Sequence, residues 1–365
     1  MSLTSIINSK YTLPKIKHLI SKENVNTDRL NLMVKPECQN RQWLGTAFDY
    51  MLRFGLIARE YAKGSNIIAQ KGLTRLLHSE IFKDSKGNII YRDNIICRIK
   101  GEIVIGKQPL SIHRAYVVDN AVNNAFTERY VNSLLILHQL KPSATLSEEE
   151  AKAAFSLSNF DKFYRDILTH SDDALDIPTT EQIRELQALY KIIPWNDFKP
   201  TNDIILNPCF NKGSRLVYGA DCDLIIDNCI VEIKTVQTKS VSIRDLRQLC
   251  GYYILAKEFG VSNYSSKVDS IAVYHSRSGI LSKYLVKDVL NPKHEKEFLM
   301  ALVGKDYILN AEKIKPVVEL EKKSSIEQLL KNTQYYSKDS FNVLIQSNTI
   351  VRDLKYKSTN TLIQK

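Results

Sequence analysis

Nothing in the 365 residues approaches the apolar run of about 18 or more residues that a membrane span requires; stretches such as Leu134 to Leu137 have the length of core segments. The opening MSLTSIINSKYTLPKIKHLI has neither the continuous apolar region nor the small-residue cleavage site of a secretory signal, so the expected location is the cytoplasm. Cysteine is sparse. Cys38, Cys97, Cys209, Cys222, Cys229 and Cys250 form no C-x-x-C pair, which excludes a disulfide framework and makes them reduced, small apolar residues. His113, His138 and His170 have no carboxylate or cysteine at ligand spacing, which argues against a zinc site. Only 13 glycines and 10 prolines, with no tract of either, argue against a long flexible linker, and no internal repeat is present. The pattern G-x-x-x-x-G-K-[ST] does not occur, so the chain carries no phosphate loop of a helicase or other motor.

What the chain has is a 44% hydrophobic content, enough for one large or two ordinary domains, and a net charge of +11, which points to an anionic partner. Apolar residues at Ala47, Met51, Phe54, Ala58 and Tyr61 give residues 46–63 a helical period that ends at Gly64. Residues 86–118 carry β-branched runs. From 120 to 191 the pattern is helical, with expected helices at 121–140, 147–168 and 180–190. Pro194, Pro200 and Pro208 punctuate a return to strands, with a hairpin expected from 215–226 and 229–235, a helix over 243–259, two strands over 269–286 and a helix over 294–303. This divides the chain into an N-terminal part (1–118), a helical insertion (119–193), a core (194–290) and a C-terminal extension (291–365).

The hairpin GADCDLIIDNCIVEIKT carries the chemistry. With Asp227-Asn228 as a two-residue turn and Ile226 opposite Cys229, Asp223 falls opposite Glu232 and Asp221 opposite Lys234. The charged residues then share one open face, and Leu224, Ile226, Cys229, Val231 and Ile233 share the buried one. Adjacent carboxylates repel unless they share a proton or a cation, and magnesium, or manganese in its place, suits two carboxylates plus phosphate oxygens. Lys234 points to the same side, placed to orient or deprotonate a water. Such a unit hydrolyses a phosphodiester. The competing reading is a solvated face with weak cross-strand pairs.

Asp223 followed by Glu232-Ile233-Lys234 resembles the signature of the PD-(D/E)xK nuclease superfamily, although Gly219-Ala220 stand where a proline often precedes the aspartate. The resemblance implies an α/β, restriction-endonuclease-like core with a central mixed β-sheet flanked by helices, a divalent metal at the Asp/Glu pair, and cleavage of DNA or less often RNA. Gln248 and Tyr252, in the helix after the hairpin, resemble the QxxxY motif of the RecB-like and Cas4-like branch, and Arg244 extends that face as a substrate-contacting ladder. Gly45 to Arg53 resembles the branch's first motif, with Asp49 where a metal-binding histidine is expected and Arg53 where an acid often follows. Asp49 is thus either a further ligand or the partner of Thr46 in a capping box. The ligand candidates are Asp223, Glu232, Asp49 and Asp221. With no cysteine after Cys250, the iron-sulfur cluster of the Cas4-like members is not expected. His275 and Arg277, on the strand after the QxxxY helix, are placed to meet phosphate.

The expected protein is a magnesium-dependent DNA exonuclease, with no membrane partner and with a homo-oligomer or a separate helicase as open partner classes. A sequence-specific endonuclease on the same fold and a non-catalytic nucleic-acid binder are its rivals.

Overall fold

The structure is a computed structural model that describes residues 3–21, 25, 30–38, 41–63, 68–78, 80–83, 89–92, 97–99, 102–105, 108–110, 113–114, 120–165, 176–237, 240–262, 264–265 and 267–304. The C-terminal tail beyond 304 lies outside the described residues. In chain order the elements are α1 (Leu3–Ile7), α2 (Leu13–Ile16), α3 (Arg41–Ala58), α4 (Ile68–His78), β1 (Glu80–Lys83), β2 (Ile89–Arg92), β3 (Cys97–Ile99), β4 (Glu102–Ile105), β5 (Gln108–Leu110) and β6 (His113–Arg114). They continue with α5 (Asn120–His138), α6 (Glu148–Arg165), α7 (Thr180–Lys191), β7 (Ile204–Leu206), α8 (Asn211–Leu216), β8 (Leu224–Ile226), β9 (Cys229–Lys234), α9 (Ile243–Phe259), β10 (Ser270–His275), β11 (Ile280–Leu285), α10 (Val286–Val289) and α11 (Glu295–Val303).

The protein is α/β, built on a five-stranded mixed sheet in the order β11-β10-β9-β8-β7. Only β9 and β10 run parallel; the other neighbours are antiparallel. A parallel pair needs a crossover, and α9 supplies it. Its ends are written in the sequence: Ser242 and Asp245 form a reciprocal capping box, and Gly260 closes the helix at φ 74°. Residues 80–114 add two three-stranded antiparallel sheets, β2-β1-β6 and β3-β4-β5.

Helices cover both faces of the central sheet, so β8 and β10 are buried throughout. On one face, Leu224, Ile226, Cys229, Val231, Ala272 and Tyr274 join a core filled by α3 to α7. The helices of 120–191 therefore share a core with α3 and do not form one of their own. On the other face, Ile225, Ile230, Ile271 and Val273 pack under α9, with α1, α2 and α11 around it. Gly72 lets α4 cross α6 closely, since a Cβ there would stand 1.6 Å from the Phe160 carbonyl oxygen.

Three expectations are corrected. Residues 211–216 are the helix α8, and the strand begins only at Leu224, because the chain turns through left-handed residues at Asn211 and Tyr218. Helix α3 begins at Arg41, ahead of Thr46, so Thr46 lies inside it, bonds the Gln42 carbonyl at 3.2 Å and cannot be its cap. The polar face of the hairpin is partly covered: Asp221, Asp223 and Lys234 are half-buried and Glu232 is buried. Glu232 and Lys234 continue the row of Ile230 beneath α9, and Glu232 is 7% exposed.

Candidate active site

The turn sets the register. Asp227 takes the left-handed conformation at φ 52°, and its carboxylate accepts from the amides of Thr201, Asn202 and Asp203 at 3.0, 2.7 and 3.2 Å. Ile226 pairs with Cys229 and Leu224 with Val231, so the next residue outward on each strand is Asp223 and Glu232. Asp223 lies just beyond the ladder, where its Oδ2 accepts from the Ile233 amide at 2.6 Å. Burial, followed by the Glu232 charge, pushes the Asp223 carboxyl up to about 7. Burial also raises Glu232, against the opposing pull of Lys234.

Around Glu232 the polar side chains form a closed set. Its Oε1 accepts from Lys234 Nζ at 2.8 Å and from Gln248 Nε2 at 2.8 Å. Lys234 Nζ also donates to Gln248 Oε1 at 3.1 Å and stands 4.0 Å from Asp245 Oδ1. Gln248 Nε2 reaches the Tyr252 hydroxyl at 3.0 Å, and the Tyr252 ring stacks on Phe210 with centroids 5.5 Å apart. Burial works against the Lys234 charge, but Glu232 outweighs it and Lys234 is held above its ordinary value. Its ammonium is fixed between Glu232 and Gln248.

Gln248 and Tyr252, expected to meet substrate, are 7% and 5% exposed; Gln248 bonds Glu232 and Lys234, and Tyr252 bonds Gln248. Arg244 is exposed at the start of α9, so the expected three-residue ladder splits between surface and interior. Asp221 does not face Lys234: the hairpin ladder stops at Leu224, Asp221 bridges to Cys209, and Lys234 is in register with His275 on β10. Asp49 Oδ2 is taken by Arg53 Nη2, one turn along α3. Among the described residues no three Asp, Glu, His or Cys side chains gather as a metal site; of the four expected ligands, Asp223 and Glu232 are the two that stand side by side at the end of the hairpin ladder. That pair still fits a hard divalent ion, which often takes only two protein carboxylates and completes its shell with water and phosphate.

His275 and Arg277 are buried at 2% and 1%. Arg277 Nη2 pairs with Glu185 Oε1 at 2.5 Å and Nη1 donates to the Val34 carbonyl at 3.4 Å, so it ties the chain before α3 to α7 and does not face phosphate. One neighbour of the centre escapes sequence reasoning. Asp245, 4.0 Å from Lys234, has its signal masked by the capping box with Ser242 that it also makes.

Comparison of the chain with protein-family models, with curated proteins and with solved structures gives no match. Among the described residues no helix is long and apolar enough to cross a membrane.

Proposed function

We propose that the chain is a divalent-metal-dependent DNA nuclease of the PD-(D/E)xK kind, with a restriction-endonuclease-like core and magnesium or manganese at Asp223 and Glu232. One observation carries the reading: a buried and a half-buried carboxylate stand on neighbouring strand ends, with Lys234 2.8 Å from Glu232 and Asp223 pushed up to about 7. A structural pair placed there would be costly, and a site that receives a cation has a use for it. When bound, the metal supplies Lewis-acid polarisation of the phosphate and a more acidic water. The rest falls to the chain. Asp223 and Glu232 hold the site, and the Ile233 amide keeps Asp223 turned toward it. Lys234 offsets charge on the attacked phosphate and orients water, while Gln248 fixes the Lys234 and Glu232 geometry. The +11 charge supplies the field that draws a polyanion toward an acidic centre.

Glu232→Ala and Lys234→Ala should each abolish magnesium-dependent cleavage of linear DNA while salt-sensitive DNA binding persists. Cleavage at the wild-type rate in both variants sinks the proposal. Closed circular plasmid left intact identifies an exonuclease, and discrete fragments identify an endonuclease. Binding with no cleavage of any substrate by the wild type identifies a binder.

A further inference from the structure

Tyr218 stands apart among the residues with positive φ. Asn207, Asn211 and Asp227 have the short polar side chains that the left-handed conformation accepts, whereas Tyr218, at φ 58°, carries a bulky ring there and is strained. Packing does not offset that strain, since Tyr218 is 66% exposed. A strained aromatic residue that the fold does not bury calls for a use of its ring outside the fold.

The turn that carries the ring is fastened at each residue. The Tyr218 amide donates to the Arg215 carbonyl at 3.0 Å, and the Gly219 amide donates to the Ser214 carbonyl at 2.8 Å. Ser214 Oγ accepts from the Phe210 amide at 2.7 Å and donates to the Ala220 carbonyl at 2.6 Å, while the Gly219 carbonyl accepts from the Leu3 amide at 2.9 Å. The same segment borders the carboxylate centre: Phe210 stacks on Tyr252, whose hydroxyl bonds Gln248, and Cys209 bridges to Asp221. Asp223 follows Tyr218 by five residues, a span of at most about 18 Å, so a strand lying at Asp223 has a base within reach of the ring a few nucleotides away. Lys212 and Arg215, both exposed, have the spacing of one face of α8, and a Cβ at Gly219 would meet nothing within 4 Å, which leaves open space beside the ring.

We infer that Tyr218 is a stacking platform for one unpaired base of the DNA, with Lys212 and Arg215 meeting the adjoining phosphates, so that a single strand or an opened end gains a contact that a closed duplex lacks. This rests on the proposed function in taking DNA as the substrate. A phenol ring offers its face to any base, and a ring held by a fixed turn needs no rearrangement to receive one.

Fluorescence anisotropy of labelled oligo-dT and of a blunt duplex of equal length, each titrated with the full chain in EDTA, tests it without metal or cleavage. Tyr218→Ala should weaken oligo-dT binding about fivefold or more and leave duplex binding within about twofold, and Tyr218→Phe and Tyr218→Trp should keep the wild-type affinity for both. Tyr218→Gly separates the ring from the fold. Glycine accepts φ 58° without strain, so this variant should have a higher urea midpoint than Tyr218→Ala and yet bind oligo-dT as weakly. Unchanged oligo-dT affinity in Tyr218→Ala, an equal loss on duplex, a loss in Tyr218→Phe as large as in Tyr218→Ala, or affinity restored in Tyr218→Gly overturns the inference alone. Absence of binding to either DNA by the wild type overturns the DNA partner and the inference with it.

Discussion

Gln248 occupies the junction of the site, bonded at once to Glu232, Lys234 and Tyr252. Because it lies behind the charged pair, Gln248→Leu should lower kcat on linear DNA about tenfold or more and change KM little, the pattern of lost orientation and not of lost binding. A rise in KM at constant kcat would return Gln248 to the substrate surface. Glu185 is the counterpart on the structural side, fully buried against Arg277. Burial acts to raise its carboxyl, but hydrogen bonds from Cys38, the Glu37 amide and Arg277 outweigh it and hold it below the usual range. A depressed carboxyl contributes stability that is present above its unfolded value and is lost as the pH falls through the native one. Wild type should therefore lose stability steeply in acid below about pH 4, and Glu185→Ala should cost about 3–5 kcal/mol near neutrality by leaving Arg277 buried and unpaired. Urea unfolding at pH 7 and pH 3 checks both: the Glu185→Ala penalty should shrink at the lower pH, and an equal penalty at both would show that the pair makes no electrostatic contribution.

At the scale of elements, α9 carries both the crossover and the Gln248 side of the site, so its cap matters to both. Ser242→Ala removes the hydroxyl that caps the Asp245 amide at 3.1 Å and also bonds the Asp245 carboxylate. About 1 kcal/mol of stability should be lost, read as a lowered urea midpoint at constant m. The α4 and α6 crossing is less tolerant. Gly72→Ala would drive a methyl into the Phe160 carbonyl and should cost about 1–3 kcal/mol or more, although alanine is ordinarily the better helix former. A Gly72→Ala protein as stable as the wild type would disprove the closeness of that crossing.

For the whole molecule, the net charge of +11 makes a statement about ionic strength. Binding of duplex DNA to wild type, followed by fluorescence anisotropy, should weaken steadily between about 50 and 200 mM salt, giving a straight line of negative slope on logarithmic axes. Glu232→Ala should keep that slope, since it removes no cation. A salt-independent affinity would take the basic excess out of the account of DNA recognition.

The sequence by itself determined what local chemistry controls. Helix α9 runs over Ile243–Phe259, as its capping box and closing glycine foretell, and the turn at Asp227 settles the pairing that leaves Asp223 and Glu232 as neighbours. These depend on residues a few positions apart. Only the tertiary structure decided which faces are covered: helices lie on both sides of the sheet, so a face that alternation marks as polar is largely covered, and Gln248, Tyr252 and Arg277 bond other side chains of the protein. It also decided that Asp221 bridges to Cys209, that Asp49 is spent on Arg53, and that Arg277 of the strand end meets Glu185 of α7. The physical reason is range. Period, turn and cap are set by neighbours along the chain, whereas burial and charge pairing depend on which distant segment arrives, and no spacing in the sequence encodes that arrival.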